Sequence, residues 1–143
     1  MGIYTSLRFK GIVKKEFRDK FEDIALNGNW ANSEDEILRE FGEDDPRAEF
    51  IPCGVPIYIP MEWTTSDGFA RVYDKNTGLW IFQCSVKNQL GTIETFFDIV
   101  PLFMEKVECA EIYEEGSNFS SMYGLVDDKI ILLKPIHNFY LTV

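Results

Sequence analysis

The side chains best suited to chemistry in this sequence are one histidine, three cysteines and a large set of carboxylates. A nucleophile and general base could be assembled from Cys84 and His137, because such partners need not be close in sequence. Cys84, however, falls in Trp80-Ile-Phe-Gln-Cys84-Ser-Val86, where Trp80, Phe82, Cys84 and Val86 alternate onto one apolar face. That placement reads Cys84 as a buried structural thiol behaving as a small hydrophobe. A zinc site needs four close-set ligands, and the Cys and His residues stand far apart at 53, 84, 109 and 137. Asp44-Asp45 and Asp127-Asp128 could offer oxygens to a hard cation, but the Asp-x-Asn-x-Asp-Gly loop is absent and both pairs read as solvated turns. Gly2, Gly11, Gly28 and Gly42 are isolated and form no phosphate-binding loop. With 24 acids, some carboxylate pair will lie at glycosidase-like separation by chance, so that pattern decides nothing. No catalytic residue, metal or cofactor is therefore expected. A small enzyme using carboxylates or the Cys84 and His137 pair stands as an alternative.

The acids are more informative as a surface. Eight of the sixteen residues from Glu34 to Glu49 are Asp or Glu, and Glu105, Glu108, Glu111, Glu114 and Glu115 form a second cluster. If 108–114 is a strand, Ala110 and Ile112 face inward while Glu111, Tyr113 and Glu115 share the outer face. An exposed tyrosine flanked by carboxylates suits a basic protein partner, the aromatic ring supplying affinity and the charge supplying on-rate. A merely solubilising face is the competing explanation. On charge and expected exposure, the partner-binding candidates are Glu111, Tyr113, Glu114 and Glu115, followed by Asp44 and Asp45.

The formal net charge of −10 repels nucleic-acid backbones and anionic membranes at long range and attracts basic proteins. Residues 1–20 carry six basic and two acidic groups, a net +4 that leaves −14 on the rest of the chain. The odd number and wide spacing of the cysteines argue for a reducing compartment. With no signal-type apolar stretch at the start and no apolar run of bilayer length, a cytoplasmic location is expected. A length of 143 residues and 45% hydrophobic content suit one domain, 1–143, with its own core.

Several elements must position these groups. Alternation of Ile3, Thr5, Leu7 and Phe9 with Tyr4, Ser6, Arg8 and Lys10 predicts a first strand with one basic face. Val13, Phe17, Phe21, Ile24 and Ala25 predict a helix over about 14–26, stopped at Asn27-Gly28. Ser33 and Glu36 form a capping-box pattern for a short helix ending near Phe41-Gly42. Residues 43–66 hold four of the six prolines together with many large apolar residues. They predict a packed irregular segment with a short edge strand at Ile57 to Ile59.

The centre of the chain, Phe69 to Val107, predicts a hairpin turned at Asp74-Lys-Asn-Thr-Gly78 and then an amphipathic helix capped by Thr92. Ile93, Phe96, Phe97, Val100, Phe103 and Met104 give that helix, about 92–106, a wide apolar stripe for one sheet face, and Pro101 predicts a kink or break in it. Three more strands follow at 108–114, 120–126 and 129–133, the last two joined by Asp127-Asp128. The fold class is α+β, a mostly antiparallel sheet of five or six strands with helices packed on it.

The run Trp80-Ile-Phe-Gln-Cys84-Ser-Val-Lys87-Asn88, then Ile93-Glu94, Phe96-Phe97 and Pro101, and finally Ile112-Tyr113-Glu114-Glu115, resembles small bacterial immunity proteins of polymorphic-toxin systems. The resemblance covers roughly 58–133. It implies a cytosolic, non-enzymatic inhibitor that blocks a cognate protein toxin by direct binding, often a nuclease with a basic cleft. Besides an enzyme, an acidic nucleic-acid mimic of phage or regulatory origin is the alternative.

Overall fold

Thr5, Leu7 and Phe9 do alternate into the core, on strand β1 (Tyr4–Val13). The structure, a computed structural model, describes the backbone of residues 3–65 and 68–138 and the side chains of 3–64 and 68–133. The remaining strands are β2 (Val72–Asp74), β3 (Leu79–Lys87), β4 (Met104–Glu114), β5 (Phe119–Val126) and β6 (Lys129–Asn138). They form one sheet in the order β2-β3-β1-β4-β5-β6, every neighbouring pair antiparallel. With its helices the chain is an α+β fold, as the alternating and helical periodicities predict.

Two turns follow directly from their residues. Between β2 and β3, the Gly78 amide donates to the Asp74 carbonyl at 2.7 Å, the Asp74 carboxylate accepts from the Asn76 amide at 2.8 Å, and Gly78 takes φ +81°. Between β5 and β6, Asp127 and Asp128 both adopt positive φ, 51° and 61°, the geometry of a two-residue hairpin that matches strand twist.

The helical regions depart more from expectation. In place of one helix over 14–26, the chain makes a 3-10 segment, Lys15–Lys20, and then α1 (Glu22–Asn27), which ends at Gly28 in the left-handed conformation. The break lets Phe17 and Phe21 both reach Phe103, at ring-centroid distances of 6.5 and 5.1 Å. Helix α2 (Glu36–Asp44) is capped by Asp35, whose carboxylate accepts from the amides of Ile37 and Leu38 at 2.9 and 3.1 Å. Ser33 instead accepts from the Asp35 amide, so the capping-box role expected of Ser33 passes to a charged residue nearer the helix. The helix also runs past Phe41-Gly42 to Asp44.

Residues 50–65 contain a helical turn α3 (Phe50–Cys53) and a short α4 (Met61–Thr65), with no strand at Ile57 to Ile59. Helix α5 (Thr92–Phe103) is a single helix, because Pro101 falls in its last turn and interrupts little. Thr92 does not cap it. Asn88 Oδ1 accepts from the Ile93 amide at 2.7 Å, and Thr92 Oγ1 donates to Asp45 at 3.1 Å, tying α5 to the end of α2.

One hydrophobic cluster lies between α5, α1, α2 and the sheet face formed by Leu7, Phe9, Trp80, Phe82, Cys84, Val86 and Ala110. Its centre is aromatic: Trp80 contacts Phe9, Phe21, Trp30, Phe82, Phe96 and Phe103 at 4.7–6.3 Å between ring centroids. The two indoles of this cluster are satisfied, Trp30 Nε1 donating to the Ile51 carbonyl at 2.7 Å and Trp80 Nε1 to the Ala25 carbonyl at 3.0 Å. The first bond ties α3 to the segment between α1 and α2, and the second ties α1 to the sheet.

Tyr73 ties the hairpin to the segment before α1, its hydroxyl donating to the Arg18 carbonyl at 2.5 Å. Burial pushes its pKa up to about 12. The folded value lies above the unfolded value of about 10, so the neutral phenol's contribution is fully present below pH 10 and is lost as pH rises through 12. Tyr73→Phe should therefore flatten the alkaline fall in stability over that window. Urea unfolding at stepped pH, with phenolate absorbance followed in parallel, measures it.

Candidate functional site

The strand carrying the first group of predicted contacts is β4, and its outer face is not open. Glu111 and Tyr113 do share a face of the sheet, but they are only 8% and 5% exposed. The expectation of an exposed tyrosine flanked by carboxylates is thus corrected. The cause is a cover over this side of β3, β1 and β4 to which Ile57, Trp63 and Phe69 contribute. Trp63 on α4 is buried against Tyr113, with ring centroids 6.3 Å apart. The Glu111 carboxylate accepts a short hydrogen bond from Ser120 Oγ on β5. Glu114 is exposed, and Glu115 is half-buried with its carboxylate accepting from the Tyr4 amide at 3.0 Å.

The same cover overturns the basic face expected of β1. Arg8 is 8% exposed, its guanidinium 4.1 Å from the centroid of Phe69 and 4.9 Å from that of Trp63. Its Nε donates to Gln83 Oε1 at 3.1 Å and its Nη2 to the Trp63 carbonyl at 3.3 Å. Arg8 and Glu111 are direct cross-strand partners, and the Glu111 charge opposes the lowering of the Arg8 pKa that burial causes. Beside them, burial and then Glu111 push the Cys109 thiol up to about 11. This is a buried polar layer, fully hydrogen-bonded among the described residues and closed to a macromolecular partner.

The second predicted group, Asp44 and Asp45, lies at an open place. Helix α2 and the outer face of α5 enclose a groove of about 480 Å³. Ile37, Phe41, Leu90 and Ile99 supply its apolar surface, and Glu40, Asp44 and Asp45 its carboxylates. Ile37 is 47% and Leu90 59% exposed, high for aliphatic side chains next to a core. Asp45 is held in place, accepting from Thr92 Oγ1 and from the Arg47 amide at 2.9 Å. Glu40 and Asp44 are exposed, and among the described residues neither has a cation within 4.0 Å. Charge without apolar surface solvates a protein, whereas the two together have the character of an interaction surface. Sequence reading finds the acids and misses Ile37, Leu90 and Ile99. The available signal is that Ile37 lies outside the Leu38 and Phe41 stripe of α2, and Leu90 sits in a polar link.

The Cys84 and His137 pair of the alternative enzyme reading does not assemble. Cys84 is completely buried in the core, and burial raises its pKa far above that of a reactive thiol. The side chain of His137 lies outside the described residues, but its backbone is on β6, four strands along the sheet from β3. Along the sheet that is about 19 Å, beyond any proton transfer. No group of three or more His, Cys, Asp or Glu among the described residues is placed to hold a metal, and no described helix is long and apolar enough to cross a membrane. Comparison with known proteins returns no matching family model, no matching curated protein and no matching solved structure.

Proposed function

We propose that this protein is an immunity or antitoxin-like inhibitor, acting in the cytoplasm without catalysis of its own, that neutralises a cognate basic protein toxin by direct binding through its acidic surface. The observation that carries the reading is the α2–α5 groove, where the exposed carboxylates of Glu40 and Asp44 border the exposed aliphatic side chains of Ile37 and Leu90. A lysine- or arginine-bearing segment with an apolar anchor complements both parts at once. The −14 carried by residues 21–143 would speed encounter with a cationic cleft such as that of a nuclease. Three cysteines free of disulfides agree with a reducing compartment.

The contact surface differs from the one first expected. Burial removes Glu111 and Tyr113 from it, Glu114 and Glu115 do not line the groove, and Asp44 and Asp45 do. Co-expression with the product of the adjacent upstream gene tests the reading: a stable complex and rescue from toxicity are expected. The double reversal Glu40→Lys with Asp44→Lys should weaken the complex by about 100-fold, mainly through a slower and less salt-sensitive association rate. A chain that neither binds nor rescues would sink the proposal.

A further inference from the structure

A second cleft, independent of the acidic groove, has the opposite electrostatic character. It measures about 390 Å³, within the range of about 300–1,000 Å³ typical of small-molecule sites. It lies between the end of β3 and the strap that follows α3. Phe50, Val55 and Ile57 supply its apolar surface and remain 41%, 73% and 37% exposed. Arg47 and Lys87 line it as well.

The strap is built into the sheet edge. The Ser85 amide donates to the Gly54 carbonyl at 3.3 Å, and the Ile57 amide donates to Ser85 Oγ at 3.0 Å. A Cβ on Gly54 would stand 2.1 Å from the Ser85 carbonyl oxygen, so only glycine allows this approach. The cleft is therefore a fixed feature of the fold.

Its two cations have no carboxylate partners. Arg47 Nη1 donates to the Lys87 carbonyl at 3.0 Å, which brings both residues to one rim. The ammonium of Lys87 sits 5.5 Å from the centroid of Tyr4. Among the described residues neither side chain has a carboxylate within 4.0 Å, and the other guanidinium N–H groups of Arg47 have no protein acceptor. Two unpaired cations on one apolar cleft are unexpected in a chain of net charge −10.

From this juxtaposition we propose that the cleft binds a small apolar acid: a monocarboxylate whose aliphatic or aromatic body lies against Phe50, Val55 and Ile57 while its carboxylate meets Arg47 and Lys87. A neutral apolar compound would leave the two cations unanswered, and a polyanion would gain nothing from the apolar wall. The volume accommodates a whole small molecule rather than a single partner side chain.

Decanoate is the probe, titrated by calorimetry into the full chain at pH 7, with decanol as the uncharged control. Saturable one-to-one binding is expected, at least about tenfold tighter for decanoate than for decanol. Lys87→Gln and Arg47→Gln should each weaken it about tenfold. Arg47 also supports the backbone, so the deciding variant is Val55→Asp, at a site exposed enough to leave the fold intact, which should abolish decanoate binding with unfolding unchanged. No saturable decanoate binding up to about 1 mM would overturn the proposal. So would equal binding of decanol, or full binding by the Val55→Asp variant. None of these outcomes depends on whether the protein neutralises a toxin.

Discussion

Trp80→Ala should destabilise the protein by about 4 kcal/mol, enough to unfold a marginally stable chain of this size at moderate temperature. Three effects act together. The indole has no solvent exposure and touches six other rings, so its removal leaves a cavity where β1, β3, α1 and α5 converge. Among those rings, Trp30 lies between α1 and α2, and Phe96 and Phe103 are on α5, so they cannot collapse inward without moving whole helices. The Ala25 carbonyl also loses its donor inside the core. Trp80→Phe keeps most of the ring packing and should cost about 2 kcal/mol. Urea unfolding followed by circular dichroism measures both, and near-equal losses would show that the hydrogen bond, not the volume, is what matters at this position.

Arg8→Ala should cost about 3 kcal/mol by a different route. Its guanidinium is clamped between Trp63 and Phe69 and hydrogen-bonded to Gln83 and the Trp63 carbonyl, while the buried Glu111 stands across from it in register. Truncation removes the surface that Trp63 and Phe69 pack on and leaves the Glu111 charge uncompensated. Arg8→Met restores the packing but not the charge, so about half the loss should remain. Adding Glu111→Gln to Arg8→Met should then recover about 1 kcal/mol, because the unpaired carboxylate is gone and an amide can still bond Ser120. A double variant no more stable than Arg8→Met alone would show that the two charges do not sense each other.

These two positions also show how much of the molecule can be read from sequence. Trp80 declares itself: period two over Trp80, Phe82, Cys84 and Val86 and helical period over Ile93, Phe96, Val100 and Phe103 are local patterns, and the structure packs one on the other. The turns at Asp74–Gly78 and Asp127-Asp128 are equally local, written in residues that tolerate positive φ. Arg8 does not declare itself. On β1 it alternates like any solvent-facing cation, and its burial depends on Trp63 and Phe69, more than fifty residues away in a stretch whose prolines disguise how it packs. Tyr113 and Glu111 share the face of β4 that alternation predicts, but they lie beneath that same cover. The groove and the cleft are likewise juxtapositions of distant segments, of which only the charged members stand out in sequence.

The position of β1 has a further consequence, for the order of events during synthesis and refolding. Strand β1 is an inner strand, and the residues it pairs with come much later in the sequence: Tyr4 joins Lys87, and Thr5 joins Glu114. A nascent chain therefore holds an apolar strand with neither neighbour until residue 87 is made, and without its second neighbour until residue 114. Pairings of such long sequence separation carry a loop-closure penalty before they gain contacts, so folding should be slow for a domain of this size. A protein meant to be ready before a partner arrives would then owe its promptness to standing abundance of the folded form rather than to rapid folding on demand.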